Sequence, residues 1–136
     1  MKATLKNILA VFVGMMLGSV VNMGIIMISG KIIPPPPGTD LTTMEGLKAS
    51  MHLFTPINFL MPFLAHALGT LFGAYIAALM SVNHALRLAL IIGLIFMIGG
   101  IMNVKMLPSP LWFSMTDIIG AYLPMGYLGY KLAGKE

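Results

Sequence analysis

Apolar residues along the chain fall into four long runs, which short polar stretches separate. The runs cover residues 8–29, 56–81, 84–103 and 111–131. A helix needs about 20 mainly apolar residues to cross a bilayer, and each run satisfies this length. The pattern therefore predicts an all-α integral membrane protein, a single bundle of four antiparallel transmembrane helices over residues 1–136.

The first run has a second interpretation, because Lys2 and Lys6 precede it as in a secretory signal peptide. The run is longer than the ~7–15 apolar residues of such a peptide, and no small-x-small cleavage site follows it. The sequence therefore favours a helix that the mature protein retains.

The stretch between the first two runs contains two distinct patterns. The prolines Pro34–Pro37 predict a stiff, extended connector; the alternative, a ligand for an aromatic groove, is less favoured. Residues 42–54 then predict a short amphipathic helix in the membrane interface, since apolar residues recur there at helical spacing. Thr42 is the expected N-cap, with Glu45 as its reciprocal partner.

Composition narrows the class of protein further. Apolar residues make up 58% of the chain and charged residues 9%, against about 25% charged residues in a soluble domain. The chain has no cysteine, which excludes disulfides and thiolate metal sites, and its 14 methionines favour adaptable packing over copper binding. The net charge of +4 comes from scattered residues, so we expect no nucleic-acid partner and no cofactor.

The basic residues predict the orientation in the membrane. Four spans place both termini on one side, and that side holds five Lys or Arg residues against three on the other. The positive-inside rule then predicts an inner-membrane protein with both termini in the cytoplasm. The two groups are Lys2, Lys6, Arg87, Lys131 and Lys135, and Lys31, Lys48 and Lys105.

Small residues recur on one face of each predicted helix. Gly14 and Gly18 lie four residues apart in the first run, as do Gly69 and Gly73 in the second, and Gly120 lies in the fourth. Small residues let helix backbones approach closely in lipid, so these glycines are expected to pack against another helix. The sequence leaves open whether that helix belongs to the same chain or to a second copy.

Three polar residues fall at one predicted depth inside the membrane. Asn22, His66 and Asp117 each lie about 4–6 Å from the midpoint of their run, on the side toward the outer surface, at a rise of about 1.5 Å per residue. A carboxylate at such a depth costs about 2.5–3.5 kcal/mol on insertion scales, so Asp117 should face protein or water. The predicted cluster extends outward through Asn58, Asn103, Ser114 and Thr116.

This cluster supports several functional hypotheses. In the first hypothesis the cluster is structural, and its side chains join the helices by hydrogen bonds. In a transport hypothesis of nearly equal weight, Asp117 and His66 bind a proton, a cation or a small solute, and the chain acts as a homo-oligomer. An accessory role in a larger membrane complex is the alternative class. A lipid-modifying enzyme is less favoured, because no nucleophile or second carboxylate accompanies His66, and a haem or metal site is the least favoured.

Overall fold

The part of the chain that the structure, a computed structural model, describes is mainly helical. This part is residues 2–135 and contains no strand, so the predicted all-α class is confirmed. Within it, three segments are long and apolar enough to cross a membrane: Ala3–Ile32, Pro56–Met80 and Ala85–Met106. The α-helices are α1 (Ala3–Ile32), α2 (Met44–Ser50), α3 (Leu60–Met80), α4 (Ala85–Met106), α5 (Leu111–Gly120) and α6 (Leu123–Ala133).

Glycines bring α1 and α3 into close contact. A Cβ atom added to Gly14 would lie 2.5 Å from the carbonyl oxygen of Gly73, and one added to Gly18 would lie 2.6 Å from that of Gly69. No side chain fits at such distances, so the two backbones touch directly. These four glycines thus pack against each other within one chain.

Hydrogen bonds place both ends of the described chain at the same end of the bundle. The Asn7 side-chain amide donates to the Asn83 side-chain oxygen at 2.6 Å, and the Asn7 side-chain oxygen accepts from the backbone N–H of Val82 at 3.0 Å. The Lys135 ammonium donates to the backbone oxygen of Ser81 at 3.2 Å. We call this the terminal end and the opposite one, which holds residues 33–58, the loop end.

Helix boundaries depart from the apolar runs because hydrogen bonding does not stop where apolar residues stop. α1 begins five residues before its run and ends three residues after it, and α4 continues to Met106 instead of 103. The second run opens with a 3₁₀ helix, Pro56–Phe59, and becomes α-helical only at Leu60. Pro62 accounts for this delay, since it has no N–H to donate to the carbonyl of Asn58.

The segment between α1 and α3 is helical over fewer residues than predicted. α2 covers Met44–Ser50, and a 3₁₀ turn follows before the chain extends at Phe54. The N-cap is Thr43, whose hydroxyl oxygen accepts from the backbone N–H of Gly46 at 2.9 Å. The predicted pairing of Thr42 with Glu45 is therefore wrong; Thr42 instead donates to Asp40.

The prediction of one continuous helix over residues 111–131 is wrong. This segment is broken into α5 and α6 at Ala121 and Tyr122, and Tyr122 has the non-helical angles φ −118° and ψ −81°. Pro124 is the physical cause, because it has no N–H for the Gly120 carbonyl and its ring clashes with that carbonyl in a continuous helix. Gly93 on α4 leaves room for the break, since its added Cβ atom would lie 3.0 Å from the backbone oxygen of Tyr122.

Candidate functional site

Asp117 on α5 is the centre of a buried polar network. Its side chain is 2% exposed. Nδ1 of His66, on α3, lies 2.8 Å from one carboxyl oxygen of Asp117 and 3.0 Å from the other. The Tyr122 hydroxyl donates to the second oxygen at 2.8 Å. Both oxygens of a carboxyl group that sits among apolar helices are therefore hydrogen-bonded.

The helix break brings Tyr122 to Asp117. In a continuous α-helix, residues five positions apart point about 140° away from each other. Such a helix would direct Tyr122 away from the carboxyl group. Because α5 ends at Gly120, the chain turns between the two residues, and the Tyr122 hydroxyl reaches back to Asp117.

A cavity of about 180 Å³ adjoins this network. At about 30 Å³ per water molecule in the liquid, it has room for about six waters or for one small solute. Asn22 from α1, His66 from α3 and Asn103 from α4 are the polar residues of interest in its wall. The remaining lining residues are Gly69, Thr70, Phe96, Gly99, Gly100 and Tyr122.

The contact with Asp117 determines what His66 can offer to the cavity. When Asp117 is ionised, Nδ1–H of His66 donates to the carboxylate, and the neutral ring then has a bare Nε2. Nε2 can accept a proton or a hydrogen bond, and the resulting imidazolium would pair with the carboxylate that it already contacts. The ring is also stacked on Tyr122, with centroids 5.9 Å apart and planes 27° apart, which limits its rotation.

The structure brings together only part of the predicted cluster. His66 and Asp117 are in direct contact, and Asn22 and Asn103 join His66 around the cavity. Asn58 lies apart at the loop end, where its side-chain oxygen accepts from the backbone N–H of Thr55 at 2.9 Å.

Two further predicted residues on α5 also lie outside the cavity wall. Thr116 is exposed, and its hydroxyl donates to the backbone oxygen of Trp112 at 2.8 Å. Ser114 is buried within the bundle. Gly120 makes no close backbone contact, because the atom nearest to its added Cβ is a Phe63 ring carbon at 3.5 Å.

Tyr122 and Gly100 are the functional candidates that sequence reasoning missed. A Cβ atom on Gly100 would overlap the Tyr122 hydroxyl, so the absence of a side chain there makes space for the tyrosine. Pro124 is the residue from which the position of Tyr122 could have been predicted. A proline inside an apolar run predicts a break on its N-terminal side, and that break changes which residues face Asp117.

Neither a metal-binding cluster of the described residues nor a similarity to another protein identifies this site. Among residues 2–135, no three His, Asp or Glu side chains come together in a way that could hold a metal ion. Comparisons with protein families, with curated proteins and with solved structures found no match.

Proposed function

We propose that the chain is a four-span membrane protein, in which α5 and α6 together form the fourth span. Residues 111–133 would extend about 34 Å at 1.5 Å per residue, enough for a hydrocarbon core of about 30 Å. Lys135 supports this path, because its bond to Ser81 returns the end of α6 to the terminal end. At a broken helix inside a membrane, neighbouring helices must satisfy the freed backbone groups, and α4 packs against this one at Gly93.

We further propose that the terminal end faces the cytoplasm of a bacterial-type inner membrane. Five Lys or Arg residues belong to this end and three to the loop end. Basic residues near the ends of spans are retained on the cytoplasmic side. A reporter fused after residue 135 tests this orientation, and an accessible reporter on the outer surface would contradict it.

The proposed function is proton-coupled binding and transport of a small polar solute or cation. The observation that supports it is the buried Asp117, whose contact with Nδ1 of His66 leaves Nε2 as the other polar atom of a residue that lines the cavity. Protonation at Nε2 converts a hydrogen-bond acceptor into a donor and so changes what the cavity can bind. Interrupted helices beside a polar cavity near the bilayer midplane are typical of transporter sites.

A homo-oligomer is part of this proposal, because alternating access needs two bundles or repeats that move against each other, and residues 2–135 form one bundle. The glycines that pack α1 on α3 are already in contact within the chain. The outward face of α1 is the remaining surface for a second copy. Gly24 lies on it, with open space around its added Cβ atom, and Val20 and Met27 flank it with more than half of each residue exposed.

The test is proton movement in liposomes with His66→Gln. Glutamine keeps an N–H donor that can reach Asp117 but has no group that titrates near neutral pH. We expect the variant to fold, and to lose the acidification that wild-type liposomes show under an imposed potential. An internal pH-sensitive dye reports this movement.

The matched control is Thr116→Val, which removes a hydroxyl that lies outside the cavity. We expect wild-type proton movement from it. If His66→Gln folds and still moves protons at the wild-type rate, the transport proposal is wrong and a structural role for the network is favoured. If proton movement depends on a larger complex that co-purifies with the chain, the accessory role is favoured instead.

A further inference from the structure

Two adjacent grooves open at the terminal end, beside the first turns of α4. One has a volume of about 450 Å³ and lies between residues 3–11 of α1 and residues 83–91. The other, of about 490 Å³, follows α4 itself within residues 84–94. Because they share His84 and Ile91, a branched molecule can occupy both grooves at once.

The grooves combine apolar walls with a basic mouth. Most of their wall consists of aliphatic side chains, which favour hydrocarbon. His84 and Arg87 are exposed at the start of α4 and line the second groove beside these side chains. The aliphatic residues are Ala3, Ile8, Val11, Leu86, Leu88, Leu90, Ile91 and Leu94.

The charge around these grooves is uniformly positive in the part of the chain that is described. Asp40 and Glu45 belong to the loop end, and Asp117 is buried in the bundle, which leaves no carboxylate among residues 2–135 at the terminal end. Basic pockets between membrane helices on the cytoplasmic side attract anionic lipid head groups. The basic residues at this end are Lys2, Lys6, Arg87, Lys131 and Lys135.

A network of asparagine bonds holds His84 between the grooves. Asn7 binds both Val82 and Asn83, which ties the turn before α4 to α1. His84 then adopts left-handed backbone angles, φ 64° and ψ 39°, a conformation that costs a residue other than glycine about 1–2 kcal/mol. The conformation of this turn therefore places His84 at the wall that the two grooves share.

We propose that these grooves bind a phospholipid with an anionic head group. Its phosphate lies between His84 and Arg87, where the guanidinium can donate two parallel hydrogen bonds to phosphate oxygens. One acyl chain follows α4 along Leu90 and Leu94, and the other enters between α1 and α4. This site is separate from the cavity at His66 and does not depend on the transport proposal.

The experiment measures lipid retention by native mass spectrometry of the full chain in mild detergent. Wild-type protein, Arg87→Gln and the control Lys48→Gln are each incubated with equimolar phosphatidylglycerol and phosphatidylcholine. Both side chains are exposed, so each variant should keep the wild-type helix content by circular dichroism. We expect wild type and Lys48→Gln to retain phosphatidylglycerol preferentially. The preference of Arg87→Gln should be about fivefold lower.

A competition arm separates the lipid from free phosphate. Inorganic phosphate at the lipid's concentration should not displace phosphatidylglycerol, because the acyl chains supply most of the buried apolar area. Displacement by phosphate would overturn the lipid as the occupant. Equal retention of the two lipids by wild type, or unchanged preference in Arg87→Gln, would also overturn the proposal.

Discussion

The hydroxyl of Tyr122 occupies the space that a side chain at Gly100 would fill. A Cβ atom built on Gly100 overlaps this hydroxyl and the adjoining ring carbon. The same hydroxyl donates to Asp117, so the network depends on a missing side chain in α4. Gly99, the preceding residue, has no neighbouring atom within 4 Å of its added Cβ, which makes the two glycines a matched pair.

Gly100→Ala should therefore destabilise the fold, whereas Gly99→Ala should not. Overpacking of this kind costs about 1–3 kcal/mol, because the alanine pushes Tyr122 away from Asp117. Equilibrium unfolding in mixed micelles measures the free energy of unfolding for both variants. Equal stability of the two variants would contradict the tight Gly100–Tyr122 contact.

Gly14→Ala should weaken the contact between α1 and α3 by a similar mechanism. The added methyl group would lie 2.5 Å from the backbone oxygen of Gly73, so the helices must separate and lose their packing contacts. We expect a loss of about 1–3 kcal/mol in the free energy of unfolding. Gly30→Ala on the same helix is the control, since the nearest atom to its added methyl group lies 4.0 Å away, at ordinary van der Waals distance.

Tyr122→Phe removes one hydrogen bond from Asp117 and leaves the ring in place. Hydrogen bonds between membrane helices contribute about 0.6–2 kcal/mol, so the loss of stability should fall in this range. Asp117 keeps its contact with His66, and the variant should therefore still fold. A loss well above this range would mean that the hydroxyl supports more than this one bond.

The loop before α2 should respond to acid through Asp40. Hydrogen bonds from the side chain and the backbone of Thr42 lower the pKa of Asp40 below its ordinary value of 3.8. A lowered folded-state pKa means that the carboxylate stabilises this loop fully above pH 3.8, and that the contribution disappears as the pH falls through the lowered value.

The amide chemical shift of Thr42 reports this titration, because its N–H donates to Asp40 at 2.9 Å. We expect a midpoint below 3.8, and no titration step in Asp40→Asn. A midpoint at or above the ordinary value would show that the hydrogen bonds do not form in solution. Asp40 is fully exposed, so the effect should remain local to the loop.

Apolar patterning carried enough information to predict the three long helices, but neither their ends nor the break between α5 and α6. The long helices are specified by runs of apolar residues, and the depth of Asn22, His66 and Asp117 could be estimated from their position within these runs. The ends depend on local hydrogen bonds, such as the one between Thr43 and Gly46. Because Thr42 and Thr43 are adjacent, the sequence does not show which of them caps the helix.

The site was predictable only in the part that regular helices determine. The common depth of His66 and Asp117 predicted that they belong to one cluster, and in the structure the two side chains are in direct contact. The contribution of Tyr122 required knowing that the helix breaks, because a regular helix directs it elsewhere. Thr116 had a suitable depth, but its hydroxyl donates to the backbone oxygen of Trp112 in the same helix. The sequence alone does not show whether a threonine makes such a bond or faces a neighbouring helix.

The return of both chain ends to the terminal end, through Asn7 and Lys135, has a practical consequence for engineering. Two copies can be joined head to tail by a short flexible linker without an extra membrane crossing, and both then keep the same orientation. In such a tandem fusion, His66→Gln can be introduced into one half alone. In the homo-oligomer proposed above, the fusion thus allows the number of intact His66 sites to be set genetically.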